Sequence, residues 1–209
     1  LDYPVTLIRS DNPNQIELSG IDVLIVPSGN FKFLSEKEGN QKLTDWLSKG
    51  GKMIAIENAV SMMAEGNWQL KKKEDDKETP PPSNNDLPLY AERDRSYLKH
   101  FVQGAVYRVT LDHSHPIAYG FTKDYFTLRN NDNVYSFLNK GWNVGTIGNR
   151  GYISGMVGSE ASGNIQQTLS LGAQPYGRGS VVYFAENPLY RGFWESGKLL
   201  LTNAVFFNW

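Results

Sequence analysis

Two nearly uninterrupted apolar runs, Ile21-Asp22-Val23-Leu24-Ile25-Val26-Pro27 and Lys52-Met53-Ile54-Ala55-Ile56, stand on either side of one helical segment. Strands with so little polar alternation are those covered on both faces, and a helix between two of them is the usual link between parallel neighbours. The intervening residues 34–49 carry acids early and place Leu43, Trp46 and Leu47 at helical spacing. They close on Lys49-Gly50-Gly51, a basic last turn followed by a glycine stop. Trp46, flanked by Leu43 and Leu47, belongs on the buried face of that helix. After the second strand, Glu57-Asn58 passes directly into Ala59-Val60-Ser61-Met62-Met63-Ala64, which starts another helix, and Val5-Thr6-Leu7-Ile8 reads as a further strand ahead of both. The alternation predicts an α/β fold with a doubly wound, three-layer, flavodoxin-like sheet, mostly parallel.

One domain over residues 1–209 is expected, with a mobile loop at about 68–88. Residues 71–86 run Lys-Lys-Lys-Glu-Asp-Asp-Lys-Glu-Thr-Pro-Pro-Pro-Ser-Asn-Asn-Asp, with no aliphatic side chain to offset the entropy of ordering them. Helical character returns over 90–103, and residues 105–111 alternate as a strand. Short strand-like pieces then recur between glycines and asparagines at 125–128, 134–138, 142–147 and 152–156, which predicts antiparallel additions in the C-terminal half. Residues 167–171 and 180–185 flank a hairpin around Tyr176-Gly177-Arg178-Gly179, and residues 194–207 form a closing helix.

Composition removes several function classes. With 21 Lys plus Arg against 22 Asp plus Glu, the chain has no field to collect nucleic acid. The absence of cysteine removes thiol nucleophiles, disulfides and cysteine-ligated metals, while leaving the redox compartment open. No apolar run approaches the ~20 residues of a membrane-spanning helix. His113 and His115, with Asp112, could be drawn as a metal site, but His115-Pro116 at a strand end fits a hydrogen-bonding turn residue better. No His-Glu-x-x-His, Gly-x-Ser-x-Gly or phosphate-cradling glycine pattern occurs, so neither a metal nor any other cofactor is expected.

In a doubly wound sheet the productive place is the crevice beyond the carboxyl ends of the strands. The sequence puts Ser28, Gly29 and Asn30 there, together with Glu57, Asn58, Glu186 and Asn187. Paired carboxylates can divide acid and nucleophile work, and strand-end polar residues can equally cap the helices that follow.

At these residues the chain resembles the class I glutamine amidotransferase-like superfamily. Asp22-Val23-Leu24-Ile25-Val26-Pro27-Ser28-Gly29 is similar to its early strand, residues 46–52 to the helix leading to the nucleophile strand, and Val182-Tyr183-Phe184-Ala185-Glu186-Asn187-Pro188 to the late strand carrying its catalytic His. Glu57-Asn58 replaces the nucleophilic Cys and Glu186-Asn187 replaces the base, so the resemblance implies a degenerate, non-catalytic site. Residues 109–120 and 181–194 more specifically resemble the C-terminal domain behind the catalytic domain of bacterial zinc carboxypeptidases of the carboxypeptidase A type. That likeness implies an accessory domain of an exported metallopeptidase, periplasmic or secreted, with the peptidase domain upstream in the same polypeptide as its partner, and it suits an N-terminus that reads as a cut edge. A rival reading is a peptide- or carbohydrate-binding module using the crevice with Tyr190, Arg191, Phe193 and Trp194; another is a divergent hydrolase run by Glu57 and Glu186. If the nucleophile and base positions face one another, the two carboxylates need a cation between them, and Arg191 is the expected one.

Overall fold

A computed structural model describes residues 5–8, 16–35, 39–73 and 89–209. Eight strands form one curled sheet: β1 (Val23–Val26), β2 (Lys52–Ile56), β3 (Val102–Leu111), β4 (Tyr125–Arg129), β5 (Trp142–Ile147), β6 (Tyr152–Val157), β7 (Thr168–Tyr176) and β8 (Gly179–Phe184). Their spatial order is β1-β2-β8-β7-β5-β3-β4, and β6 also pairs with β3. The helices are α1 (Gly39–Ser48), α2 (Asn58–Glu65), α3 (Arg93–His100), α4 (Ser159–Asn164) and α5 (Glu195–Phe206).

The fold is α/β, but the expected mostly parallel sheet is corrected. Only β1, β2 and β8 run parallel to one another, while every pairing from β8 onward to β7, β5, β3, β4 and β6 is antiparallel. The cause lies in the connections. A parallel neighbour needs a crossover long enough for a helix, whereas β7 and β8 are joined by Gly177-Arg178 alone, which permits only a hairpin, and β5 and β6 follow one another along the same edge of β3, both antiparallel to it.

Around β2 and β8 the sheet is sandwiched. Met53, Ala55, Val181 and Tyr183 point into one core with Leu43 and Leu47 of α1 and Val60 and Met63 of α2. Ile54, Ile56, Val182 and Phe184 point into a second core with Leu200 and Ala204 of α5. Burial on both faces explains the lack of polar alternation in these two strands. The equally apolar run around β1 has a different outcome: β1 lies at the edge of the sheet, and Ile25 is 43% exposed. Val5, Leu7 and Ile8 are exposed and belong to no strand, so the expected N-terminal strand is not formed by the described residues.

The chain leaves α1 through Gly50, whose φ of 123° suits glycine alone, with the Gly51 N–H donating to the Trp46 carbonyl at 3.2 Å. Trp46 is half-buried rather than buried, packs against the first core, and donates its indole N–H to the Ile21 carbonyl at 3.0 Å. A Cβ on Gly51 would lie 2.3 Å from the Trp46 ring. Gly51→Ala is therefore expected to destabilise by about 1–3 kcal/mol, the usual cost of overpacking; a change under about 0.5 kcal/mol in urea denaturation would mean that the ring swings aside freely.

The boundary of the expected loop also moves. Trp68 and Leu70 are buried, and Trp68 donates its indole N–H to the Leu34 carbonyl at 2.8 Å. Residues 71–73 pair with residues 134–136, where the expected strand over 134–138 reduces to an isolated bridge between Lys72 and Tyr135. Residues 74–88, the rest of the expected loop, lie outside the described residues. No helix among the described residues is long and apolar enough to cross a membrane.

Candidate functional site: the strand-end crevice

Glu57 follows β2 directly and precedes the first residue of α2, at φ 51° and ψ −111°. A non-glycine residue there stores roughly 1–3 kcal/mol of backbone strain, which persists only when its surroundings fix it. Here its N–H donates to the Phe184 carbonyl of β8 at 2.9 Å, and its own carbonyl accepts from Ser61 N–H at 3.2 Å in the first turn of α2. A sharp, strained strand-to-helix turn of this kind is how α/β folds expose a nucleophile. Asn58 donates its amide to the Gly29 carbonyl at 2.8 Å, so the end of β1 is tied across the crevice to the start of α2.

Glu186, two residues beyond β8, is buried. Its Oε1 lies 2.8 Å from Arg129 Nη1, with only 3% of the Glu186 and 1% of the Arg129 side chain exposed. Both atoms lack a hydrogen bond of good geometry, so this contact is one of charge. The other carboxylate oxygen, Oε2, accepts from the Ser170 hydroxyl of β7 at 2.5 Å, and Arg129 donates to the Asn133 carbonyl. Burial pushes the Glu186 carboxyl above the usual range; Arg129 and the Ser170 hydroxyl pull it back, and the Glu57 carboxylate pushes it up again. The structure thus brings Glu57 and Glu186 close enough to repel. Tyr125 and Tyr135 flank the pair, their hydroxyls held above the ordinary tyrosine range first by burial and then in part by the Glu186 charge.

Arg129 reaches this place because the sheet curls. In spatial order β8 is separated from β4 by β7, β5 and β3. Four strand spacings would amount to about 19 Å in a flat sheet, so a 2.8 Å contact requires the antiparallel half to fold back over the ends of β7 and β8. Sequence reading overlooked Arg129, Ser170 and Asn133. The available clue was the alternation of β4, in which Tyr125, Thr127 and Arg129 share one buried face while Phe126 points outward.

Arg191 does not supply the cation, which corrects the expectation placed on it. It sits in the 3-10 turn Tyr190–Gly192 at φ 49°, exposed, with its guanidinium 5.3 Å from the Tyr190 ring centre. That turn is closed by Gly192 N–H on the Leu189 carbonyl, and among the described residues Arg191 forms no ion pair with Glu57 or Glu186, the cationic partner of Glu186 being Arg129. Asn187 caps the preceding bend by accepting from Leu189 N–H at 2.9 Å. The remaining expected crevice residues fall into two groups. Ser28, Gly29 and Asn30 end β1, whereas Trp194 donates to the Phe126 carbonyl of β4 at 2.8 Å and carries Phe193 and Tyr190 with it as an edge-to-face set.

His115 is a buried turn residue. Its Nδ1 accepts from Ile117 N–H at 3.2 Å, capping the turn Pro116–Ala118, and its ring packs between Trp142 and Trp209. Asp112 accepts from both the N–H and the hydroxyl of Ser114. No group of three or more His, Cys, Asp or Glu among the described residues is placed to hold a metal. Burial lowers the pKa of His115 against a weaker upward pull from Asp112. The unfolded chain therefore takes up a proton first as pH falls, so stability declines as pH drops through about 6.5 toward the depressed value. His115→Gln is expected to flatten this acid-side decline in denaturation series at pH 7 and pH 5; parallel profiles would show that His115 does not drive it.

The class these features define is an α/β domain with a three-strand parallel core that ends in a strained strand-to-helix turn. No protein-family model matches the sequence, and no curated protein matches it either. Solved structures do share the fold. A β-galactosidase from Bacillus circulans sp. alkalophilus is 12% identical with a TM-score of 0.52, over 91% of this chain and 23% of its own. A cytoplasmic protein from Salmonella typhimurium is 11% identical with a TM-score of 0.50, over 95% of this chain and 75% of its own. A ThuA-like protein from Bacteroides uniformis is 11% identical with a TM-score of 0.48, over 94% of this chain and 74% of its own. This chain therefore spans less than a quarter of the β-galactosidase it matches. The neighbours with TM-scores of 0.50 and above are a β-galactosidase and a cytoplasmic protein rather than a zinc carboxypeptidase, which overturns the more specific resemblance drawn from residues 109–120 and 181–194.

Proposed function

We propose that this chain is a non-catalytic, glutamine amidotransferase-like accessory domain in which the ancestral crevice has become a structural ion cluster. The three parallel strands and the strained turn at Glu57 are then what remains of a doubly wound core. One observation carries the reading: the Glu186 carboxylate is enclosed by Arg129 and Ser170. A general acid, base or nucleophile must come within hydrogen-bond reach of its substrate, and a carboxylate held in this way cannot. The Glu57 carboxylate acts on Glu186 as a like charge, and the Asn58–Gly29 bond ties the segment after β1 to the start of α2. An accessory role is supported by the recurrence of the fold as a minor part of a longer chain, and the partner would be another domain of the same polypeptide.

The test is Glu57→Gly. Glycine accepts a positive φ without strain, so the variant is expected to gain about 1 kcal/mol of stability, and neither it nor the wild type should hydrolyse glutamine, amide or ester substrates. Turnover by the wild type that disappears in a folded Glu57→Gly protein would overturn the proposal. A second reading, a peptide-binding module, is favoured by the 58% exposure of Phe193 beside Tyr190 and Arg191. It predicts peptide binding that Phe193→Ala abolishes without change in melting temperature.

A further inference from the structure

Residues 71–73, the densest basic run in the sequence, are not a loose strap. Ser136 N–H donates to the Lys71 carbonyl at 3.1 Å and Lys73 N–H to the Val134 carbonyl at 2.9 Å, so the three lysines are mounted on a short antiparallel ribbon. Beside it opens a cavity of about 480 Å³, whose walls include Gln69, Lys71, Lys73, Phe137, Asn139 and Gln167. That volume lies within the range of small-ligand sites, and none of Glu57, Arg129 or Glu186 borders it.

The chemistry of the walls is specific. Among the described residues, no carboxylate lines the cavity. Lys72 is compensated by Glu65 at 2.6 Å, but the Lys73 ammonium is fixed by two neutral acceptors, the carbonyls of Asn164 at 3.2 Å and Gln166 at 2.7 Å, and has no acidic partner among the described residues. Lys71 is exposed, with no acidic partner among the described residues. Gln167 holds φ at 54°, a strained value for a side-chain-bearing residue, and its amide is oriented by Asn149 Oδ1 at 3.1 Å. Three carboxamides each offer a donor and an acceptor in one plane, the complement of neighbouring sugar hydroxyls. Phe137, 41% exposed, adds an apolar surface for the C–H side of a pyranose ring, and two ammonium groups complement a carboxylate. A bare phosphate could take the amide N–H donors but would leave the aromatic ring and the amide oxygens unused.

We propose that this cavity binds an acidic saccharide, a uronic-acid-bearing oligosaccharide. The experiment is calorimetric titration of the full chain with trigalacturonate, with the neutral galactose trisaccharide and with inorganic phosphate. Saturable binding of trigalacturonate is expected, at least about tenfold tighter than the neutral sugar, and weakened at least about tenfold by Lys71→Met or Phe137→Ala at unchanged melting temperature. Lys71 is exposed, so its variant tests the site even if Phe137→Ala impairs folding. Absence of saturable binding, equal affinity for the neutral sugar, full displacement by phosphate at equal concentration, or indifference to Lys71→Met would each overturn the assignment.

Discussion

Replacing Arg129 with Met lowers unfolding stability by about 3–5 kcal/mol at neutral pH, the usual cost of removing one partner from a buried ion pair. The loss comes less from the missing attraction than from a Glu186 carboxylate left buried with only the Ser170 hydroxyl to solvate it. The effect depends on pH, and its sign follows from the direction of the shift. Burial already raises the folded-state pKa of Glu186, and Arg129 is the main influence lowering it, so its removal raises that pKa further. A carboxyl with a raised folded pKa favours the native state below its unfolded value and disfavours it as pH climbs toward the folded one. At about pH 4 both states of the variant hold the proton, and the penalty should shrink to roughly 1–2 kcal/mol, for lost packing and the bond to the Asn133 carbonyl. Urea denaturation at pH 7 and pH 4 checks this. An equal loss at both values would mean that Glu186 is not the charge being stranded.

The second large effect is expected at Trp68. Its ring is buried in the first core, tilted against Tyr176 at 6.0 Å between ring centres, and its indole N–H is satisfied by the Leu34 carbonyl. Trp68→Ala should cost about 3–5 kcal/mol, the range for truncating a buried aromatic. Half-buried Trp46 should lose less in the same substitution. A deletion that begins at residue 74 and spares Trp68, Leu70 and the ribbon at 71–73 should cost far less than one that begins at residue 68. Equal melting temperatures for wild type and Trp68→Ala would show that residues 68–73 do not anchor the domain.

Local pattern made the first half of the chain legible, and connectivity hid much of the second. β1, α1, β2 and α2 follow from apolar runs and a glycine stop, because these elements are consecutive and joined by a helical crossover. The hairpin of β7 and β8 was readable from Gly177-Arg178 for the same reason. Periodicity could not reveal that β1 is an edge strand, since an apolar run records a preference for burial and not whether both faces obtain it. Nor could it reveal the partner of Glu186. Arg191 is close in sequence and Arg129 is far, and the far one meets the carboxylate because the curl of the sheet brings the end of β4 over the end of β8. The two carboxylates at the strand ends were identified from their positions alone, whereas the cation that determines what they do depended on the path of the whole sheet.

A structural ion cluster in the crevice is tested most directly by a double-mutant cycle on Arg129 and Glu186 at pH 7. Arg129→Met and Glu186→Leu should each destabilise by about 3–5 kcal/mol, because each strands a buried charge. The double variant, which strands none, should lie within about 1.5 kcal/mol of wild type, giving a coupling of at least about 4.5 kcal/mol between the two positions. Additive losses, or single variants as stable as wild type, would contradict a structural role for the pair and return the crevice to chemistry.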